Sequence, residues 1–289
     1  MKKMVNLILF DFSGTLSLGA VEFSKSENLV PALQRSGLAA MGVASEIFFW
    51  QEIVYPTWIE GSTTARGYQA VLVERIKALG LRAPGDCHPR ESIQKAVSCL
   101  LNQYFDQCRI DVRWRSLLED LRDNPSVQVV IATDHYAEAT PLIIGRLADW
   151  QIEAKPLSDA ISGEKNPFLI ANSSDLGAHK ADVRFWQQIR DKSAGQEPCR
   201  LLLIDDFGAN EDSSDPYGDS AKVLARQEDT GRVLREVFPD DVEIHPFIVA
   251  APTEANNSDE ADKDRLYGLH ISRAVADVRS FLRRGETND

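Results

Sequence analysis

The stretch LILFDFSGTLS, residues 7–17, decides how the fold is read. It opens inside an apolar run, 5–10 (VNLILF), which stops at Asp11 and a glycine-containing turn. A short run that is apolar throughout suits a strand covered on both faces, as in a parallel sheet. In an open parallel sheet, ligands bind at the carboxyl ends of the strands, which is where Asp11 falls.

Working outward, 127–132 (VQVVIA) and 200–204 (RLLLI) repeat the pattern, and 168–171 (FLIA) is a shorter version. A fifth candidate is 244–250 (IHPFIVA), in which Pro246 favours an edge position. Helical patterns at 111–123, 137–150, 180–192 and 219–237 separate these runs. Strand and helix alternate, which predicts an α/β fold with a doubly wound parallel sheet.

Residues 18–107 break the alternation. They predict helices at 28–36, 44–54, 62–79 and 89–106, inserted after the first strand. The aromatic cluster Phe48, Phe49, Trp50, Tyr55 and Trp58 reads as the small core of that insertion, and in a lid the same rings can face a ligand. The expected organisation is a core of 1–17 and 108–250, the insertion at 18–107, a flexible linker at 251–264, and a C-terminal helix and tail at 265–289.

The composition is that of a globular protein, with 43% hydrophobic and 26% charged residues. A formal net charge of −12 repels phosphate backbones and argues against nucleic acid as a partner. A small anionic substrate stays open, because a bound divalent cation inverts the local field. The four cysteines form no CxxC pair and no zinc-like spacing. The basic-then-apolar start is too short for a signal-peptide core, and no stretch approaches the roughly 20 apolar residues of a membrane span. These features predict a cytoplasmic protein with reduced thiols and no membrane contact, a monomer or homodimer.

Every chemically suggestive group follows a candidate strand: Asp11 the first, Thr133 the run VVIA, Asp205 and Asp206 the run LLLI. Lys180 opens the helical pattern that precedes the last of these. Plainer roles stay open for each: a turn residue for Asp11, a strand-end hydroxyl for Thr133, a solvated lysine for Lys180, an N-cap pair for Asp205 and Asp206. Asp134 and His135, beside Thr133, read as structural, and Asn210 as a residue that orients the acidic loop or serves the site.

In order, DFSGTL (Asp11, Thr15), VVIATDH (Thr133), SSDLGAHKAD (Lys180) and LLLIDDFGAN (Asp205, Asp206, Asn210) resemble the motifs of the haloacid dehalogenase superfamily of hydrolases. The resemblance covers roughly 1–16 and 111–250, and the insertion stands where that superfamily carries a helical cap. It implies Asp11 as nucleophile, with Asp11, Asp205, Asp206 and the carbonyl of Ser13 as Mg²⁺ ligands. It further implies that Thr133 and Lys180, with Ser13, Gly14 and Asp134 nearby, bind the phosphoryl group of a small phosphorylated substrate. Oxygen-only ligands suit Mg²⁺, and positioning plus charge stabilisation supply most phosphoryl-transfer catalysis.

One position departs from the pattern. Typical phosphatases of this superfamily carry an aspartate two residues after the nucleophile, as general acid and base; here that residue is Ser13. A general acid contributes roughly 10²–10⁴ in rate. The alternatives are a leaving group that needs no proton, an acid from elsewhere, or a slow binding module. Phosphonatase-like chemistry would require a Schiff-base lysine, for which Lys25, Lys77 and Lys95 are the candidates in the insertion. Dehalogenase-like chemistry would leave the Asp205–Asp206 pair without a metal to hold.

Overall fold

The computed structural model describes residues 4–160, 167–192, 197–211, 217–238, 241–249 and 260–286. Among these described residues, six strands form one sheet: β1 (Met4–Phe10), β2 (Val127–Thr133), β3 (Ala154–Pro156), β4 (Phe168–Asn172), β5 (Glu197–Asp205) and β6 (Asp241–Pro246). Their order is β3-β4-β2-β1-β5-β6, and every pairing is parallel.

Two-sided burial explains the unbroken apolar runs. Ile8 and Phe10 pack on one face with Val129, Ile131, Leu202 and Ile204. Leu7 and Leu9 pack on the other with Val130, Ala132, Leu201 and Leu203. Side chains alternate along a strand, so both alternating sets must be apolar when helices cover both faces.

The chain between β1 and β2 begins with six helices: α1 (Leu18–Ser24), α2 (Ser26–Ser36), α3 (Glu46–Phe48), α4 (Trp58–Ser62), α5 (Tyr68–Ala78) and α6 (Pro89–Gln107). They enclose a cluster of their own, including Leu33, Phe49, Ile53, Leu72 and Val97. Then come α7 (Arg115–Asp123), α8 (Ala139–Ala148), α9 (Ser173–Leu176), α10 (Val183–Lys192), α11 (Ser220–Val237) and α12 (Glu260–Glu286). Helices α7, α8 and α12 cover the Phe10 face, while α10 and α11 cover the Leu9 face.

Several expectations are corrected. The single helix expected over 44–54 is α3 followed by a wide π-turn, Phe49–Val54, and a short 3-10 turn at Tyr55–Thr57. Pro56 has no N–H to return to an α-helical partner four residues back. The carbonyl of Glu52 instead accepts from Arg75 Nε at 2.6 Å. The helix expected over 62–79 is broken between α4 and α5, where Gly67 takes φ +80°.

Strand β3, three half-buried residues with no apolar run, gives no signal in the sequence. Strand β6 starts earlier than expected, and Pro246 is its last residue on an edge strand, where the missing donor costs no ladder bond. Of the expected linker 251–264, residues 251–259 lie outside the described residues, and 260–264 belong to α12. That helix packs Ile271, Ala274, Val278 and Phe281 onto the sheet, spaced as one helical stripe. Among the described residues, no helix is long and apolar enough to cross a membrane.

Candidate active site

The β1 ladder runs one step past the strand: Asp11 N–H donates to Ile204 O at 2.9 Å. That bond fixes Asp11 between the ends of β2 and β5. Asp205 closes β5 and Asp206 follows it; Thr133 closes β2. Asp11, Asp205 and Asp206 are all buried, and each offers an oxygen within 4.8 Å of the others'.

The turn after Asp11 is shaped around Asp206. Gly14 has φ +79°, and a Cβ there would stand 2.4 Å from Asp206 Oδ2. Thr15 Oγ1 accepts from Asp206 N–H at 3.2 Å. Asn210 ties this turn to the β6 end: its Nδ2 donates to Gly14 O at 2.8 Å and Phe247 O at 2.9 Å, while its Oδ1 accepts from Val249 N–H at 2.8 Å. Phe207, directly after Asp206, sits at φ +54°, an uncommon conformation for a bulky residue; its N–H donates to Asp205 Oδ1 at 2.7 Å.

Lys180 lies in the turn between α9 and α10, three residues ahead of Val183, and does not open the helix as expected. Its Nζ donates to Asp11 Oδ1 at 2.8 Å and Asp205 Oδ2 at 2.6 Å. Its backbone is clamped on both sides. The N–H donates to Asp134 Oδ1 at 3.0 Å, and the carbonyl accepts from Trp186 Nε1 at 2.6 Å.

One ammonium therefore pairs with two of the three clustered carboxylates. Burial pushes Asp11 up to about 7; Lys180 opposes the rise and Asp205 adds to it. Burial, then the charges of Asp11 and Asp205, raises Asp206 well above the carboxylate range. Burial would lower Lys180, but Asp11, Asp205 and Asp134 outweigh it and hold the ammonium charged. Burial also raises Asp134. The cluster lacks positive charge, and its donors are all hard oxygens. A small divalent cation such as Mg²⁺ fits both conditions.

The cluster forms one wall of a cavity of ≈ 140 Å³. Asp11, Ser13, Thr133, Asp134, Lys180, Asp205 and Asp206 all reach it; Gly14 is not among its lining residues. The opposite wall is supplied by the helical insertion, including Phe49, Trp50, Tyr55 and Trp58 of the expected aromatic cluster, while Phe48, half-buried, packs against the insertion's own core and does not line the cavity. Lys25, Lys77 and Lys95 do not line it; Lys25 pairs with Glu22, and Lys77 and Lys95 are exposed.

A set of hydrogen bonds, His135 among their members in the structural role expected of it, holds the two walls together. Ser173 Oγ donates to Ser62 O at 2.6 Å and accepts from His135 N–H at 3.0 Å. His135 Nδ1 accepts from Tyr136 N–H at 2.9 Å, so its Nε2 carries the proton facing Tyr104 Oη, 2.9 Å away on α6. Ser62 Oγ lies 2.7 Å from His179 Nε2, and the His179 ring stacks on Trp58. Tyr217 and Glu211, beyond Asp206, complete the lining. Ser173, His135 and His179 fall within the motif stretches, but no motif marks their distant partners Ser62 and Tyr104.

No family model matches the chain, and no curated protein does. Solved structures similar to it include a HAD-family enzyme of Bacteroides thetaiotaomicron in complex with magnesium and inorganic phosphate. That chain is 14% identical, with TM-score 0.43 over 87% of this chain and 98% of the other. A predicted HAD-like hydrolase of Porphyromonas gingivalis is 14% identical, with TM-score 0.42 over 91% of this chain and 98% of the other. A 2-haloacid dehalogenase of Pseudomonas syringae is 16% identical, with TM-score 0.46 over 75% of this chain and 84% of the other. At such identities, and with TM-scores below 0.5, none of these likenesses bears on what this chain acts upon.

Proposed function

We propose that the chain is a Mg²⁺-dependent hydrolase of the haloacid dehalogenase type that acts on a small phosphorylated metabolite through an aspartyl-phosphate. The observation that carries this reading is the charge balance of the cluster: three buried carboxylates against the single ammonium of Lys180. Such a balance is stable once a divalent cation and an anionic group join it.

In this reading Asp11 attacks phosphorus, with Lys180 fixing one of its oxygens and balancing charge as the dianion approaches. Asp11, Asp205 and Asp206, with the carbonyl of Ser13, hold the cation, which supplies charge neutralisation at the phosphoryl oxygens. Thr133 binds a phosphoryl oxygen. Asp134 holds the Lys180 backbone in place. The insertion acts as the cap, excluding water and choosing the substrate. Carbon–phosphorus cleavage through a Schiff base is disfavoured, since no lysine from the insertion lines the cavity.

Acetyl phosphate tests the reading, because its leaving group needs no proton and little recognition. Mg²⁺ should be required for phosphate release, and should raise the melting temperature of the protein while EDTA reverses the rise. Release that proceeds equally well in EDTA, or in the Asp11→Asn variant, would remove the proposed mechanism.

A further inference from the structure

Two features of the cavity bear on what leaves the phosphorus. Among its described lining residues, Lys180 is the sole cation, and it is already shared between Asp11 and Asp205. The cap side offers Phe49, Trp50, Tyr55, Trp58, Tyr68 and Leu101. The Glu211 carboxylate, a lining residue, reaches that wall, 3.0 Å from Ser24 Oγ of α1. A second phosphate or a carboxylate on the substrate would be desolvated there with no spare cation to pair with, facing a like charge. Flat apolar groups meet rings on which to pack.

The ≈ 140 Å³ of the cavity must also take the phosphoryl group and the cation, so only a compact leaving group fits beside them. The third feature is Ser13, a hydroxyl at the cavity wall where the motif otherwise places a carboxylic acid. His135 is no substitute as it stands, since its Nδ1 and Nε2 are engaged by Tyr136 and Tyr104.

Resting on the phosphoryl-transfer reading above, we propose that the substrate is a phosphate monoester of a compact, uncharged aromatic alcohol of phenolic acidity. In the first step an Asp11 oxygen bonds to phosphorus and the phosphorus–oxygen bond to the ring breaks. Its electron pair leaves on the aryloxide, which takes a proton from solvent. In the second step water oxygen bonds to phosphorus and the bond to Asp11 breaks. The pair returns to the carboxylate, and the water's protons leave with inorganic phosphate. A phenoxide departs without prior protonation far more readily than an alkoxide, which accords with a hydroxyl at position 13.

The test compares kcat/KM for phenyl phosphate, 4-carboxyphenyl phosphate and benzyl phosphate in Mg²⁺, with acetyl phosphate as reference. Phenyl phosphate should exceed the 4-carboxyphenyl ester by about tenfold or more, although the latter has the better leaving group. It should exceed benzyl phosphate, which has the same ring on an alkyl oxygen, by about a hundredfold. Ser13→Asp should narrow the second gap, and Trp58→Ala should lower the phenyl-to-acetyl ratio. Equal or better use of the carboxylate ester, of phosphocholine or of sugar phosphates would overturn the proposal. So would equal rates for phenyl and benzyl esters, which would reveal an acid elsewhere on the wall. Turnover of acetyl phosphate without an aryl preference overturns this proposal and leaves phosphoryl transfer standing. No turnover of any ester or of acetyl phosphate overturns both.

Discussion

The sheet edge and the helical wall across the cavity are built on opposite principles. At the edge, Asp11, Asp205, Asp206 and Lys180 are buried at strand ends and turns whose positions the backbone ladder fixes. Charge is concentrated there beyond what the local hydrogen bonds neutralise. Across the cavity the wall is mostly rings and aliphatic chains, positioned by packing and by a handful of bonds to the core. On the function proposed above, the difference assigns the chemistry to a rigid element under electrostatic stress and the selectivity to a surface free to change without disturbing it.

The largest effect that would break this division is at Asp11. Asp11→Asn should reduce turnover by about 10⁴-fold or more. Yet the variant should melt no lower than the parent without metal, since it removes one of three crowded carboxylates and leaves Asp205 paired with Lys180. A large drop in melting temperature would mean that the edge is a structural ion pair and not a stressed site. Lys180→Met is the converse. It strips the only ammonium from the buried cluster, and breaking such a pair costs about 3–5 kcal/mol. Chemical denaturation in EDTA measures both variants.

The interface between the two regions carries a pH signature. Burial holds His135 down at about 4, against an ordinary value near 6.5. The folded chain keeps the ring neutral where the unfolded chain protonates. Stability is therefore full above about pH 6.5 and declines as pH falls toward 4, by about 3 kcal/mol at most. A protonated Nδ1 would also face the Tyr136 N–H that it now accepts. His135→Gln should flatten this acid limb; an unchanged slope in denaturant melts from pH 7 to 4 would show that other groups set it.

The edge was legible in the sequence for the reason that it is rigid. Asp11, Thr133, Asp205 and Asp206 each end an apolar run, and a parallel sheet places all such ends together. Lys180 ends no strand; motif order, not periodicity, pointed to it, and its turn was mistaken for a helix start. The wall was not legible. The turn widened ahead of Pro56, the break at Gly67 and the bonds from Ser173 and Tyr104 all depend on partners that helical periodicity does not encode. The aromatic cluster could be named from sequence, but which rings face the cavity is decided by those breaks.

Glu138 gives the smallest and sharpest probe of how the wall is held. Its carboxylate, at the start of α8, accepts from Tyr68 N–H at 2.7 Å and Gln69 N–H at 3.2 Å. It thereby caps α5 from another part of the chain, where Gly67 has no side chain to obstruct it: a Cβ would stand 2.7 Å from Glu138 Oε1. Glu138→Ala leaves two helix-end donors without this acceptor and should cost about 1 kcal/mol, as loss of an N-cap does. Glu138→Gln keeps an acceptor oxygen and should lose less, mainly the charge favoured at a helix N-terminus. If the wall selects substrate while the edge performs chemistry, Glu138→Ala should raise KM for phenyl phosphate and leave kcat for acetyl phosphate nearly as it was. Equal damage to both would mean that the cap and the edge act as one unit, and the division drawn here would not hold.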